Sequence, residues 1–205
     1  RKMLARANGT GSEISMPFDK RRNGFIMSEG SYVFVLENHD YAVSRGARIY
    51  GEVSGYGSIF AGGRNSDTGK RVEKAGNAMK KCIDDAGMST DDIDLINANG
   101  NSGKLPDLIE AKAIKELFGE ESENIPVHTV KSALGESYGA SGAMQTASAL
   151  LSINNGLVPP TINYEEKDPE CNLNIVNERL EKEVNTVLIN SFDLSGNNSC
   201  LIVKK

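Results

Sequence analysis

Leu95-Ile96-Asn97-Ala98-Asn99-Gly100-Asn101-Ser102-Gly103 is an apolar, β-type run that ends in a small-residue turn rich in polar side chains. Val130-Lys131-Ser132-Ala133-Leu134-Gly135-Glu136 repeats the arrangement. In both, a strand hands over to a helix through a glycine-containing turn, which is where open α/β sheets gather their chemistry. The fold class that follows is α/β, with polar side chains collecting where the strands hand over to helices.

The turns carry a family likeness. The first resembles the N-A-H-G-T-S-T pattern of the β-ketoacyl synthases, the thiolase-like condensing enzymes of fatty-acid and polyketide synthesis; here it reads N-A-N-G-N-S-G, followed by Asp107 and Glu110. The second resembles T-K-S-x-x-G-H and reads Val130 to Glu136. Each turn is kept and each histidine is replaced. Upstream, Pro17-Phe18-Asp19, Arg22, Gly24-Phe25 and Glu29-Gly30 fit P-[FW]-D-x-x-R-x-G-F-x-x-x-E-G. Downstream, Asn190-Ser191-Phe192-Asp193-Leu194-Ser195-Gly196-Asn197-Asn198 resembles N-S-F-G-F-G-G-x-N. The likeness runs from about Pro17 to Lys205 and corresponds to the second half of a family-length ketosynthase.

It implies a layered α/β/α half-domain of order β-α-β-α-β-α-β-β. Residues 59–205 would form this C-terminal half. Residues 1–58 would close the N-terminal half, contributing strands at 31–36 and 48–57. Tyr32 to Leu36 is nearly all apolar, as a strand buried on both faces would be, and residues 48–57 alternate apolar with polar around glycines that suggest bends or close packing. Further elements are expected as helices at about 40–46, 107–118 and 139–154. A helix bearing Val72, Ala75, Met79, Cys82 and Ile83 on one face should end at Gly87. Strands are expected at 93–97, 126–130, 173–176, 186–192 and 199–204. Residues 1–16 read as a surface loop, and 61–67 as a loop leading into the second helix.

Composition narrows the function classes. The 205 residues suffice for one large core, and the net charge of −5, from 23 basic and 28 acidic residues, argues against a nucleic-acid backbone binder. No stretch approaches the roughly 18 apolar residues of a membrane span, so a cytoplasmic protein is expected. Cys82, Cys171 and Cys200 have no C-x-x-C spacing, which implies core thiols rather than disulfides, a zinc site or nucleophiles. Neither a metal nor a cofactor is implied.

In the family a cysteine upstream of this region carries the acyl chain, and two histidines assist malonyl decarboxylation and stabilise the developing oxyanion. By the resemblance those histidines fall at Asn99 and Glu136. Asn99 still offers an amide donor, whereas an anionic Glu136 would repel the developing charge. Lys131 matches the family lysine, but the glutamate that pairs with it aligns with Gln145. Lys131 is thus expected to keep a backbone-supporting role, with Glu136 an alternative partner; some acceptor is required. His39 and His128 match no catalytic position and read as structural or surface residues. The segment Asp193, Leu194, Ser195 and Gly196 replaces a glycine-rich gating loop with a stiffer one lacking the gating phenylalanine. Tunnel lining and a plain hairpin turn remain equal readings of it.

Scaffold motifs kept and chemical positions changed resemble a chain-length-factor type of subunit. The partners this implies are an active ketosynthase subunit, an acyl carrier protein and an N-terminal half of the same fold. The alternative is a variant acyltransferase or condensing enzyme that uses Asn99 and Glu136 with an upstream cysteine; a truncated relic or regulatory module is a third reading.

Overall fold

The structure, a computed structural model, describes residues 4–5, 14–62 and 67–205. Most of the segment 1–16 expected as a surface loop, and part of the loop 61–67, lie outside those residues. The described part of the first is not a surface loop: Ala5, Ser15 and Met16 are buried, and Ala5 N donates to Phe25 O at 2.8 Å.

The centre of the fold is β2 (Leu95–Asn97), parallel to β3 (Val127–His128) on one side and to β6 (Thr186–Phe192) on the other. Beyond β6 runs β7 (Asn197–Lys204), antiparallel to it, and beyond β7 lies β1 (Glu52–Phe60). The order is β1-β7-β6-β2-β3, with β7 alone reversed.

Successive side chains of a strand point to opposite faces, and here both faces are apolar. Ile96, Leu188, Cys200 and Ile202 pack on one side against α2 (Thr68–Asp85) and α3 (Lys104–Phe118). Leu95, Val187, Ile189 and Val203 pack on the other against Ala149 and Ile153 of α5 (Ser141–Asn155). The expected α/β/α layering is therefore present. On α2 the predicted face of Val72, Ala75, Met79, Cys82 and Ile83 is buried together with Ala78. Gly87 follows its C-cap in the left-handed region at φ 66°.

Three strand expectations need correction. Tyr32–Leu36 joins no sheet among the described residues, and Val33, Val35 and Leu36 are 89, 79 and 80% exposed. Its composition suits burial on two faces, yet no described strand pairs with it. The strand expected at 48–57 forms as β1, but in this sheet rather than in another half. It runs against β7 from Glu52↔Lys204 to Phe60↔Asn197, and serves as the first strand of the β-α-β-α-β-α-β-β order. The division expected at 58/59 falls inside it. The cause is steric: Gly55 and Gly57 let β1 lie directly on α2, where a Cβ at Gly57 would stand 2.2 Å from Ala78 O and one at Gly55 2.4 Å from Cys82 O.

The remaining helices are short. α1 (His39–Ser44) is capped by the Asn38 side chain, and α4 (Lys131–Leu134) follows β3. The strand expected at 173–176 reduces to one bridge, Val127↔Ile175, and an unforeseen pair β4 (Leu157–Val158) and β5 (Leu180–Glu181) lies antiparallel apart from the main sheet.

Candidate functional site

The turn after β2 is held by two buried carboxylates from α3. Glu110 accepts from Asn99 N and Gly100 N at 2.8 Å each and from Asn190 Nδ2 at 3.0 Å. Asp107 accepts from Asn101 N at 3.0 Å and Phe18 N at 2.9 Å, which anchors the P-F-D segment against the same turn. Burial raises Glu110 above the usual carboxylate range, opposed by the donors on Gly100, Asn190 and Asn99. Burial likewise carries Asp107 up to about 7 against the Phe18 N–H, the Arg22 charge and the Asn101 N–H.

The turn after β3 brings up the second half of the site. α4 closes on Gly135 at φ 75°, where the Gly135 N–H reaches Lys131 O at 3.0 Å. A left-handed residue there swings the chain so that Glu136 N donates to Ile26 O at 2.8 Å and Glu136 O accepts from Ser28 N at 3.0 Å. A side chain at 135 would be strained by that φ and would meet Ile26 O at 3.0 Å.

Together the turns create a buried cluster. Lys131 Nζ, its side chain 1% exposed, donates to Glu136 Oε2 and to Asn99 Oδ1, each at 2.8 Å. Asn99 Oδ1 also accepts from Phe192 N at 3.2 Å. Glu136 Oε1 accepts from Tyr138 N at 3.0 Å and from the Ser141 hydroxyl. The carboxylate therefore sits against the N-terminus of α5, where negative charge is favoured.

Asn99 and Glu136 are thus both in direct contact with Lys131. The backbone-supporting role expected for Lys131 gives way to an ion pair with Glu136, the acceptor that a buried ammonium requires. Gln145 does not replace the missing glutamate: its Nε2 donates to Asn190 O at 2.8 Å and Ala98 O at 3.0 Å, bracing β2 and β6. Sequence reasoning missed Ser141 and the Phe192 N–H. Ser141 stood at the head of a predicted helix, the available signal, whereas a backbone donor carries none.

Asp193, Leu194, Ser195 and Gly196 form the turn between β6 and β7, one residue beyond the Phe192 contact. Asp193 Oδ1 accepts from Gly196 N at 2.7 Å and Asn197 N at 2.9 Å, and Oδ2 from Asn197 Nδ2 at 2.7 Å. Burial pushes this carboxyl up, but the Asn197, Gly196 and Ser195 donors outweigh it and hold it below the usual range.

The other candidates lie apart. His39 is exposed at the start of α1. His128 is fully buried in β3, with no partner at full hydrogen-bond geometry for either ring nitrogen; burial lowers it to about 4, the Pro159 carbonyl opposing. Cys82, Cys171 and Cys200 are free and buried, and burial raises all three thiols, the first two to about 12. Among the described residues no group of three His, Cys, Asp or Glu could hold a metal, and no helix is long and apolar enough to cross a membrane.

Residues 50–165 match the family model described as "Beta-ketoacyl synthase, C-terminal domain". The chain belongs to the β-ketoacyl synthase family. A 3-oxoacyl-[acyl-carrier-protein] synthase 2 of Coxiella burnetii is 36% identical over 203 residues, 98% of this chain and 49% of that protein. A solved ishigamide ketosynthase/chain length factor superposes with a TM-score of 0.88 at 35% identity, over 98% of this chain and 48% of that one. A type II PKS acyl-carrier protein in complex with its ketosynthase bound to the hexaketide gives 0.92 at 29%, over 99% and 50%. The chain thus spans about half the length of the ketosynthase relatives it matches, and its fold is that of the thiolase-like condensing enzymes.

Proposed function

We propose that this chain is part of a ketosynthase-like subunit of the chain-length-factor type. It does not decarboxylate malonyl thioesters itself, and serves beside an active β-ketoacyl synthase in fatty-acid or polyketide chain elongation, with an acyl carrier protein delivering the chain. The observation that carries this reading is the Asn99–Lys131–Glu136 cluster. It occupies the two positions where the resemblance puts histidines, and it fills them with an internally compensated ion pair. Glu136 is engaged at both oxygens by Lys131, Tyr138 and Ser141, so it is poorly placed to act as a base in the variant enzyme considered above.

The remainder of the subunit supplies the N-terminal half. The exposed apolar run Val33, Val35 and Leu36 and the outward Tyr56 and Phe60 of β1 are the surfaces it would cover, so the seam between halves lies before β1. The 193–196 turn is proposed as a fixed wall of the acyl tunnel. The test is incubation of the full-length protein, without its ketosynthase partner, with malonyl-carrier protein. No carbon dioxide above a boiled control is expected; release well above it would overturn the reading.

A further inference from the structure

Asn172-Leu173-Asn174-Ile175 alternates polar with apolar side chains, the period-two pattern of an extended segment. Leu173 and Ile175 belong to the core, whereas Asn172 and Asn174 are exposed. The segment is pinned against β3 at the edge of the sheet: Val127 N donates to Asn174 O and Val176 N to Val127 O, both at 2.9 Å. It forms one wall of a cavity of about 380 Å³ that Glu123, Tyr164, Lys167 and Asn177 complete. None of these residues belongs to the Asn99–Lys131–Glu136 cluster.

The wall holds its hydrogen-bonding groups in place. Asn172 Nδ2 donates to Glu123 Oε1 at 3.3 Å, and Asn174 Nδ2 to Asn124 O at 2.8 Å. Each bond orients its carboxamide and leaves the side-chain oxygen as an acceptor. Tyr164 is 8% exposed, and its hydroxyl meets no hydrogen-bond partner among the described residues. That oxygen is not one of the unpartnered polar atoms closed off from solvent, so it opens on the cavity that the residue lines. Burial, with Asp19, Cys171 and Asp168 adding to it, raises the phenol above its ordinary range, and the group stays protonated, a donor. A donor so deeply set is costly until something accepts from it.

Charge narrows the ligand class. Lys167 brings one ammonium and Glu123 one carboxylate, so the lining has no net charge with which to hold an ion. What it offers is a phenol donor, two oriented amide acceptors and the apolar surface of Leu173 and Ile175. Sugars match all three, because each hydroxyl both donates and accepts while the C–H face of the ring is apolar.

We propose that this cavity binds a neutral saccharide of mono- or disaccharide size, with the Tyr164 hydroxyl donating to a sugar oxygen and the Asn172 and Asn174 side chains accepting from sugar hydroxyls. The site lies outside the Asn99–Lys131–Glu136 cluster and does not depend on what that cluster does.

The experiment is saturation-transfer difference NMR on the full-length protein with maltose, cellobiose and lactose, followed by titration. At least one sugar is expected to receive saturation and to bind in the millimolar range or tighter. Tyr164→Phe keeps the buried ring and removes only the donor; it should weaken binding about fivefold, the worth of one hydrogen bond, and leave the thermal midpoint unchanged or higher. Asn177 is exposed and its side chain has no described partner, so Asn177→Trp should fold normally, fill the cavity and abolish the signal. No saturation of any of the three sugars, or undiminished binding by either variant, would overturn the proposal. Should Tyr164→Phe fail to fold, Asn177→Trp decides it alone.

Discussion

Replacing Glu136 by alanine isolates the interaction that distinguishes this site. The substitution leaves Lys131 Nζ buried with Asn99 Oδ1 as its remaining side-chain acceptor, strips Tyr138 N of its carboxylate acceptor and leaves the Ser141 hydroxyl only Ser137 Oγ. Removing one partner of a buried pair costs about 3–5 kcal/mol, because the surviving charge stays in a poor solvent. With a urea slope of about 2 kcal/mol/M, the unfolding midpoint of the full-length protein should fall by about 2 M. Removing the stranded charge as well separates the pair from the rest of the site. Lys131→Met with Glu136→Ala should recover most of the loss, since an apolar stem of similar length fits the channel that the lysine occupies. The measurement is a double-mutant cycle on urea midpoints. A single-variant loss under about 1 kcal/mol, or a double variant less stable than Glu136→Ala, would refute the claim that Lys131 depends on Glu136 as its counter-ion.

Asn99→His, with Glu136 retained, should release no more carbon dioxide from malonyl-carrier protein than the parent, because paired catalytic groups act as a unit; appreciable turnover would contradict this. Gly57→Ala should destabilise by about 2 kcal/mol or more in a denaturation series, since its Cβ would stand 2.2 Å from Ala78 O, and an unchanged midpoint would show that β1 can lift from α2. His128 is held at about 4, below its ordinary 6.5, by burial. Between those values the unfolded chain binds the extra proton, so stability is full above about pH 6.5 and falls as pH drops toward 4. The loss is about 3 kcal/mol. His128→Phe should flatten that acid limb, and an identical pH profile for the variant would remove His128 as its source.

Much of the fold is legible in the sequence because its strands obey a period of two and its helices one of 3.6. Leu95, Ile96, Val187, Leu188 and Ile189 are apolar on both faces, and the layers follow from that. Tyr32–Leu36 has a similar composition yet forms no strand, because apolarity states a need for cover and not where the cover comes from. Residues 48–57 show the same limit: their alternation implied a strand, while the partner, β7, lies some 140 residues along the chain. At the site, the turns and their altered residues were readable. That Lys131 would choose Glu136 over a purely structural role depended on the left-handed turn at Gly135, which aims the carboxylate back at the ammonium. The Phe192 contact involves a backbone group and has no signature among side chains.

Glu110 grips the first turn through the backbone N–H groups of Asn99 and Gly100, not through the side chain at 99. The path of that loop is therefore indifferent to which side chain it displays, and Asp107 fixes the neighbouring Asn101 N–H in the same manner. Such a mounting separates the frame from its fitting. Chemistry can be exchanged at position 99 without rebuilding the turn, so one scaffold can carry either a reactive imidazole or an inert amide, and a lineage can pass between them by substitution alone.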